Sequence, residues 1–249
     1  MTHPRLQHGR APLGLAHALL AVTLLAGHAT RADDRPFLRL DTAKVEDDSD
    51  HTLEVSSLLS QTRAQQALQV RLEYNVNPLL AAEMELGQSR ERAGPAREHD
   101  LELGVRQVLV DHHREGWGLA MRWALDWQRS APGAWAFEGP VAVAIALLPL
   151  ADRGTYLHAN LGVSRSQSQD NTRAVWGLGA DHVLTRQFTL FGELGGRVLQ
   201  DRLLHGGVRW WLRHDKVALD VSASRTRTLA TGEVAQGVHV GLNFFDLDF

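Results

Sequence analysis

The chain has 249 residues, with 26 lysines and arginines against 29 acidic residues, and it contains no cysteine. A formal charge of −3 without a basic cluster argues against nucleic acid as a partner. Because cysteine is absent, the sequence offers no disulfide framework, no thiol nucleophile and no thiolate metal site.

Residues 1–32 have the layout of a secretory signal peptide. A positive start and a largely apolar stretch over residues 11–27 precede small residues and the acidic pair at 33–34. Cleavage is predicted after Ala32, with Ala29 as the alternative. The apolar stretch is short for a transmembrane helix, which needs about 20 residues. Removing this segment takes away three arginines and no acid, so the formal charge of −3 would become −6.

The next part of the chain, residues 33–51, is acidic and lacks a sustained strand pattern. We predict that it is a periplasmic lead-in to a β-barrel formed by residues 52–249. Later in the chain the longest apolar run, residues 141–151, is about half the length of a membrane-spanning helix and contains Pro149. A mature chain that enters a membrane must therefore do so as a closed barrel, which satisfies its backbone hydrogen bonds.

From residue 52 onward the sequence alternates between apolar and polar residues in segments of about ten, the length of a tilted membrane strand. In the second segment Leu68, Val70 and Leu72 alternate with Gln69 and Arg71, a period of two that no helix can produce. The predicted strands are 52–60, 67–77, 79–88, 100–110, 116–128, 135–148, 154–164, 173–183, 186–197, 203–213, 216–225 and 234–245.

The sequence thus predicts an all-β, antiparallel, up-and-down transmembrane barrel of about 12 strands. The first and sixth segments have the weakest patterns, so ten to fourteen strands are possible. Pro140 lies inside the sixth segment and predicts a bulge or strand end there. The connections alternate between tight and longer polar ones, as short periplasmic turns and longer outer loops do.

A soluble β-sandwich or a lipocalin-like barrel is the alternative, and it would place the apolar face inward. The tryptophan spacing favours the membrane. Trp117 and Trp127 are ten residues apart, or about 33 Å of strand, which projects to roughly 25 Å at a tilt of about 40°. That height matches the apolar band between two aromatic girdles, so both residues are predicted membrane-interface aromatics.

The last predicted strand runs into Phe249. Alternating apolar residues that end in phenylalanine resemble the signal by which the outer-membrane barrel assembly machinery recognises its substrates. With the signal peptide, this predicts localisation to the outer membrane of a Gram-negative bacterium, with outer-membrane lipid and that machinery as partners.

Several stretches resemble one family of outer-membrane barrels. They are Tyr156–Gly162, Val175–Asp181, Leu184–Glu193 and Gly207–Leu212. Their order is similar to that in the putative transporters of phenol degradation, of the MetA-pathway type. The resemblance covers roughly residues 154–249, and more loosely 66–110. It implies an outer-membrane barrel that passes small molecules, aromatic ones among them.

If the apolar phase faces lipid, the other phase lines the lumen. Glu193 is expected to face the lumen and to pair with Arg209 on the adjacent strand. The lumen could be an open pore with selective charges, or salt bridges could fill it. The predicted lumen-lining residues are Arg71, Glu73, Glu83, Glu85, Glu102, Arg106, Arg122, Asp126, His158, Glu193, Arg197, His205, Arg209, Arg213 and Asp220.

The predicted function is a passive channel for unidentified small-molecule solutes, with no catalytic residues, cofactor or metal. One alternative is a structural or assembly barrel with a plugged lumen. Another is a lipid-modifying enzyme, which would need a serine activated by a histidine. His158 and Ser164 share a strand face but lie about 20 Å apart, so any serine partner must come from another strand.

Overall fold

The computed structural model describes residues 36–44, 51–92, 97–130, 133–150, 154–167 and 170–247. In these ranges the chain forms one closed antiparallel barrel of twelve strands, as predicted. They are β1 Thr52–Thr62, β2 Gln65–Asn77, β3 Leu80–Glu91, β4 Arg97–Val110, β5 Gly118–Ser130, β6 Ala136–Pro149, β7 Thr155–Ser166, β8 Asn171–Thr185, β9 Phe188–Arg197, β10 Asp201–Arg213, β11 Val217–Thr228 and β12 Val234–Leu247. Each strand pairs with its sequence neighbours, and β1 pairs with β12 to close the sheet.

The apolar phase of the strands faces outward. In β5, Trp123 is 45% exposed, whereas the adjacent Arg122 is buried. Leu161 on β7 and Leu204 on β10 are exposed by 67% and 59%. A soluble sandwich or lipocalin would bury these side chains and expose the charged ones. The opposite arrangement, together with closure of every strand edge, is that of a barrel embedded in lipid.

The two predicted interface aromatics lie on the outward phase near opposite ends of β5. Trp117 directly precedes the strand and is 45% exposed. Trp127 is half-buried and packs on Phe137 of β6, with ring centroids 5.4 Å apart. Their role as membrane-interface anchors remains a prediction.

The predicted irregularity at Pro140 is present as a bulge in β6. Asp126 pairs with Gly139, but the next residue, Trp127, pairs with Phe137, so β6 has one extra residue. Gly139 has φ 138°, and a Cβ there would lie 2.4 Å from the Arg165 carbonyl oxygen. Only glycine fits this position without strain.

A single helical turn, α1 His112–Glu115, connects β4 to β5. Asp111 caps it by accepting a hydrogen bond from His113 N at 2.9 Å, and Gly116 ends it with φ 73°. Across the described part of the chain, no helix is long and apolar enough to cross a membrane.

The predicted difference between short and long connections is not present between the strand ends that the structure describes. Strands are joined by two to seven residues on the edge where β1 begins and by two to five residues on the opposite edge. The ladders continue past the apolar alternation into polar residues, as where Glu98 pairs with Ser130. Strand ends that lie outside the apolar belt need no apolar side chains. The alternation of apolar residues therefore predicted strands that are shorter than those in the structure. We call the edge where β1 begins and β12 ends the terminal edge, and the opposite one the distal edge.

Candidate functional site

A network of arginine and glutamate side chains fills the lumen along β2–β5. Glu83 accepts a hydrogen bond from Arg122 Nε at 2.6 Å, and its other oxygen lies 2.7 Å from Arg71. Glu73 binds Arg71 at 2.9 Å and also binds Arg106. The pairing register of β2 and β3 produces the network, because it places Glu73 directly opposite Glu83. Buried charges are tolerated when they are paired and hydrogen-bonded in this way.

A second buried ion pair joins β10 to β11. Arg209 is 0% exposed, and its Nε and Nη2 each donate to an Asp220 oxygen at 2.8 Å. The sequence instead suggested Glu193 as the partner of Arg209. The register explains the correction, since Arg209 lies opposite Asp220 on one side and Thr189 on the other, while Glu193 lies opposite His205.

Residues 36–44, which we call the plug, lie inside the lumen. Glu193 on β9 holds them by accepting three backbone hydrogen bonds, from Leu38 N at 2.7 Å, Leu40 N at 3.0 Å and Arg39 N at 3.2 Å. His205 Nδ1 lies 3.0 Å from the same carboxylate. Hydrogen bonds to a charged carboxylate are stronger than hydrogen bonds between neutral groups. The Glu193 carboxylate, which would be costly to bury alone in mid-strand, is therefore the main anchor of the plug.

Apolar side chains seat the plug against the wall. Leu40 is 1% exposed and fills a groove left by Gly177 and Gly179 on β8. A Cβ on either glycine would lie 2.4 Å from a Leu40 methyl carbon. Phe37 is 8% exposed and packs edge-on against neighbouring rings. Thus the segment 33–51, expected as a periplasmic lead-in, has its described residues 36–44 in the lumen, because their apolar side chains find cover there.

Ion pairs fix the two ends of the plug. Lys44 Nζ lies 3.1 Å from Asp181, whose other oxygen is 2.6 Å from His158 Nε2. Arg39 forms a bidentate pair with Asp201 at 2.7 and 3.3 Å. Asp181 is 1% exposed, whereas the Arg39 side chain is 38% exposed, so the Lys44 end is the more deeply buried.

The inner face of β6 supports the plug nearer the terminal edge. Val143, Ile145 and Leu147 are buried and cluster with Ala43 of the plug. In the amide orientation that satisfies both groups, Asn160 on β7 accepts from the backbone N of Asp41 at 2.6 Å and donates to its carbonyl at 3.2 Å. The apolar run in β6 therefore faces another part of the protein and not open water.

Toward the distal edge the lumen widens into a cavity of about 550 Å³, which we call the vestibule. Its floor is the plug, through Leu38, Arg39 and Asp41. Both signs of charge line its sides. The acidic wall residues lie on β3–β6, and the arginines lie on β5 and β7–β9. They are Glu85, Glu102, Asp126, Glu138, Arg122, Arg165, Arg173 and Arg197.

Most of the predicted lumen residues are buried or line an interior cavity. Arg197 is exposed at the distal end of β9, where it lines the vestibule. Arg213 is exposed at the terminal end of β10, beyond a register shift that follows Trp211. The residues on the inward face are Arg71, Glu73, Glu83, Glu85, Glu102, Arg106, Arg122, Asp126, His158, Glu193, His205, Arg209 and Asp220. Any role of these residues in solute passage remains a prediction.

A serine–histidine–serine contact, missed in the sequence, lies on the β1, β11 and β12 wall. Ser60 Oγ is 2.7 Å from His239 Nδ1, and Ser224 Oγ is 2.8 Å from His239 Nε2. A Cβ on Gly237 would lie 3.1 Å from both Ser224 Oγ and Nε2, so the glycine leaves room beside them. The contact joins the first strand to the last two, which is why strand-by-strand reasoning did not find it.

Two predicted features lie outside the described residues, namely the signal peptide over residues 1–32 and the assembly signal at Phe249. Both remain predictions. Within the described ranges, no group of three or more histidine and acidic side chains is arranged to hold a metal ion.

A closed barrel with an apolar outer face and a charged interior defines the class of this protein: it is an outer-membrane β-barrel. More narrowly, the chain belongs to the family described as Uncharacterised conserved protein UCP029691, whose model matches residues 20–244. No curated protein matches the chain.

Solved outer-membrane barrels share the fold. A structure of the KdgM porin in complex with disordered oligogalacturonate is 6% identical, with a TM-score of 0.58 over 77% of this chain and 98% of that one. The NanC porin is 10% identical, with a TM-score of 0.56 over 78% and 100%. LpxR from Salmonella typhimurium is 11% identical, with a TM-score of 0.51 over 77% and 99%.

Proposed function

We propose that this barrel is an outer-membrane channel for small polar solutes, and that the plug closes it in the conformation described here. The observation that carries the proposal is the floor of the vestibule. A charged cavity of about 550 Å³ ends on Leu38, Arg39 and Asp41, which belong to the plug and not to the barrel wall. A segment held by hydrogen bonds and ion pairs can withdraw without unfolding the sheet.

The fold shared with the KdgM and NanC porins supports a channel. The resemblance to the phenol-degradation transporters would suggest aromatic solutes, but the vestibule lining is mostly charged and polar, which favours polar ones. In this proposal residues 1–32 direct export, and the assembly machinery recognises the C-terminal sequence pattern that includes Phe249.

Filling the seat of Leu40 should open the channel. In a Gly177→Val variant, the new side chain would clash with Leu40, since a Cβ there already lies 2.4 Å from its methyl group. We expect brief, rare openings from the wild type in a planar bilayer, and frequent, stable conductance steps from the variant. Gly241→Ala is the control, because a Cβ at that lumen position meets its neighbours at an ordinary 3.4 Å or more.

If the Gly177→Val protein is folded, as shown by heat-modifiable mobility on gels, and still does not conduct, the channel proposal fails. A structural or assembly barrel with a permanently filled lumen would then be the better explanation, because the Arg–Glu network would remain after the plug had moved.

The contact between His239 and its two serines favours a second function, ester hydrolysis. His239 Nε2 could take the Ser224 Oγ proton as the serine attacks an ester carbonyl, with Ser60 orienting the ring through Nδ1. The alcohol would leave with that proton, and water would release the acid.

A nucleophilic Ser224 should react with a fluorophosphonate probe, and Ser224→Ala should abolish the labelling. Ser164→Ala, which removes another lumen serine, should leave labelling unchanged. An unlabelled wild-type protein, or equal labelling of Ser224→Ala, would leave the contact with a structural role only.

A further inference from the structure

We infer that the lumen admits organic cations, such as solutes with guanidinium or ammonium groups, once the plug withdraws. This inference rests on the proposed channel function and adds its solute class. Its basis is that the plug presents a guanidinium, an ammonium and three backbone N–H groups to carboxylates of the wall. The plug therefore occupies the lumen as a cationic ligand would.

Three wall carboxylates bind the plug. Asp181, Glu193 and Asp201 are 1%, 4% and 9% exposed. Asp181 faces Lys44, Asp201 faces Arg39, and Glu193 accepts the three N–H groups. When the plug leaves, these carboxylates lose those donors in a confined, low-dielectric space. Such a site attracts cations strongly.

The charges that the plug takes away do not cancel this effect. Its acidic residue, Asp41, lies 3.8 Å from Arg122, which keeps Glu83 and Glu102 as closer partners. The Arg–Glu network on β2–β5 and the pair of Arg209 with Asp220 are formed within the wall. Withdrawal thus exposes carboxylates, while Arg71, Arg106, Arg122 and Arg209 stay paired within the wall.

His205 adds an independent indication of a ligand with N–H donors. It is 2% exposed, and neither ring nitrogen has a hydrogen-bond partner among the residues that the structure describes, although Nδ1 lies 3.0 Å from a Glu193 oxygen. A neutral imidazole accepts a hydrogen bond through one of its two ring nitrogens. The buried imidazole and the carboxylate then form a pair of acceptors, suited to an ammonium or guanidinium group.

The vestibule above this site is lined by both acids and arginines, so it does not itself select cations or anions. Selection between cations and anions occurs deeper in the lumen, where Asp181 and Glu193 lie. The inference is tested on the Gly177→Val protein, in which the plug is displaced. The measurements are the reversal potential in a KCl gradient and the swelling of proteoliposomes in agmatine or in succinate.

We expect cation selectivity, and swelling that is several-fold faster in agmatine than in succinate. Adding Asp181→Asn and Glu193→Gln should remove both preferences. Glu98→Gln with Glu233→Gln, which removes two exposed acids near the distal edge, should keep them. A conducting protein that prefers anions or shows no preference overturns the inference but leaves the channel proposal standing. A folded Gly177→Val protein without conductance overturns both.

Discussion

Replacing Glu193 by alanine should release the plug while the barrel stays folded. The substitution removes the acceptor of the Leu38, Arg39 and Leu40 backbone N–H groups. Each buried donor left without a partner costs about 1–3 kcal/mol. The plug avoids that cost by moving into water. The variant therefore loses only the free energy of plug docking, and the sheet keeps its own hydrogen bonds.

The measurement is amide hydrogen exchange of residues 38–40, followed by mass spectrometry of the protein in nanodiscs. A loss of about 3–6 kcal/mol from plug docking should speed exchange there by roughly 10²- to 10⁴-fold. Exchange in the strands should not change. The matched control is Glu233→Ala, which removes an exposed carboxylate from the β11–β12 connection. Protection that survives in Glu193→Ala would show that this carboxylate is not the anchor.

Replacing Arg122 by methionine should destabilise the barrel itself. Its guanidinium binds Glu83 at 2.6 Å and also binds Glu102, and its side chain is 7% exposed. Removing one partner of a buried ion pair leaves an uncompensated charge, at a cost of about 3–5 kcal/mol. Methionine fills a similar volume, so the loss reports the charge and not a cavity.

Urea unfolding of the protein in lipid vesicles, followed by tryptophan fluorescence, measures this effect. The midpoint should fall for Arg122→Met and stay unchanged for Arg213→Met, because Arg213 is exposed at the end of β10. The double variant Arg122→Met, Glu83→Met should recover part of the stability, because it also removes the carboxylate that Arg122 compensated. Arg71 and Arg106 keep Glu73 as their partner. Equal midpoints for the two single variants would mean that the network contributes no net stability.

The strands were predictable because the membrane imposes a strict rule on them. Each residue on the lipid face must be apolar, so β5 alternates across the apolar belt, with Trp123 and Leu125 outside and Arg122 and Ala124 inside. This requirement for apolar residues does not apply beyond the edges of the apolar belt. The polar ends of β4 and β5 were therefore assigned to loops, although they pair there as Glu98 with Ser130.

The plug was not predictable in this way, because nine residues inside a lumen carry no periodic signal. Two features of the wall nevertheless point to it. Gly177 and Gly179 alternate on the inward face of β8, where they leave space for an inserted side chain. In β6, Val143 and Ile145 face inward and would be exposed to a wet pore without cover. The ion pairs depend on register, which alternation alone does not fix.

The position of the plug in the chain also sets an order for biogenesis. It precedes β1, yet its hydrogen-bond partners on β8–β10 lie 137 to 162 residues further along. Contacts over such distances form late, because the loop between them must close first. A barrel in which β8–β10 are missing or out of register lacks the carboxylates and the glycine groove, so the segment cannot dock. Its seating is thus a final step that only a finished sheet permits.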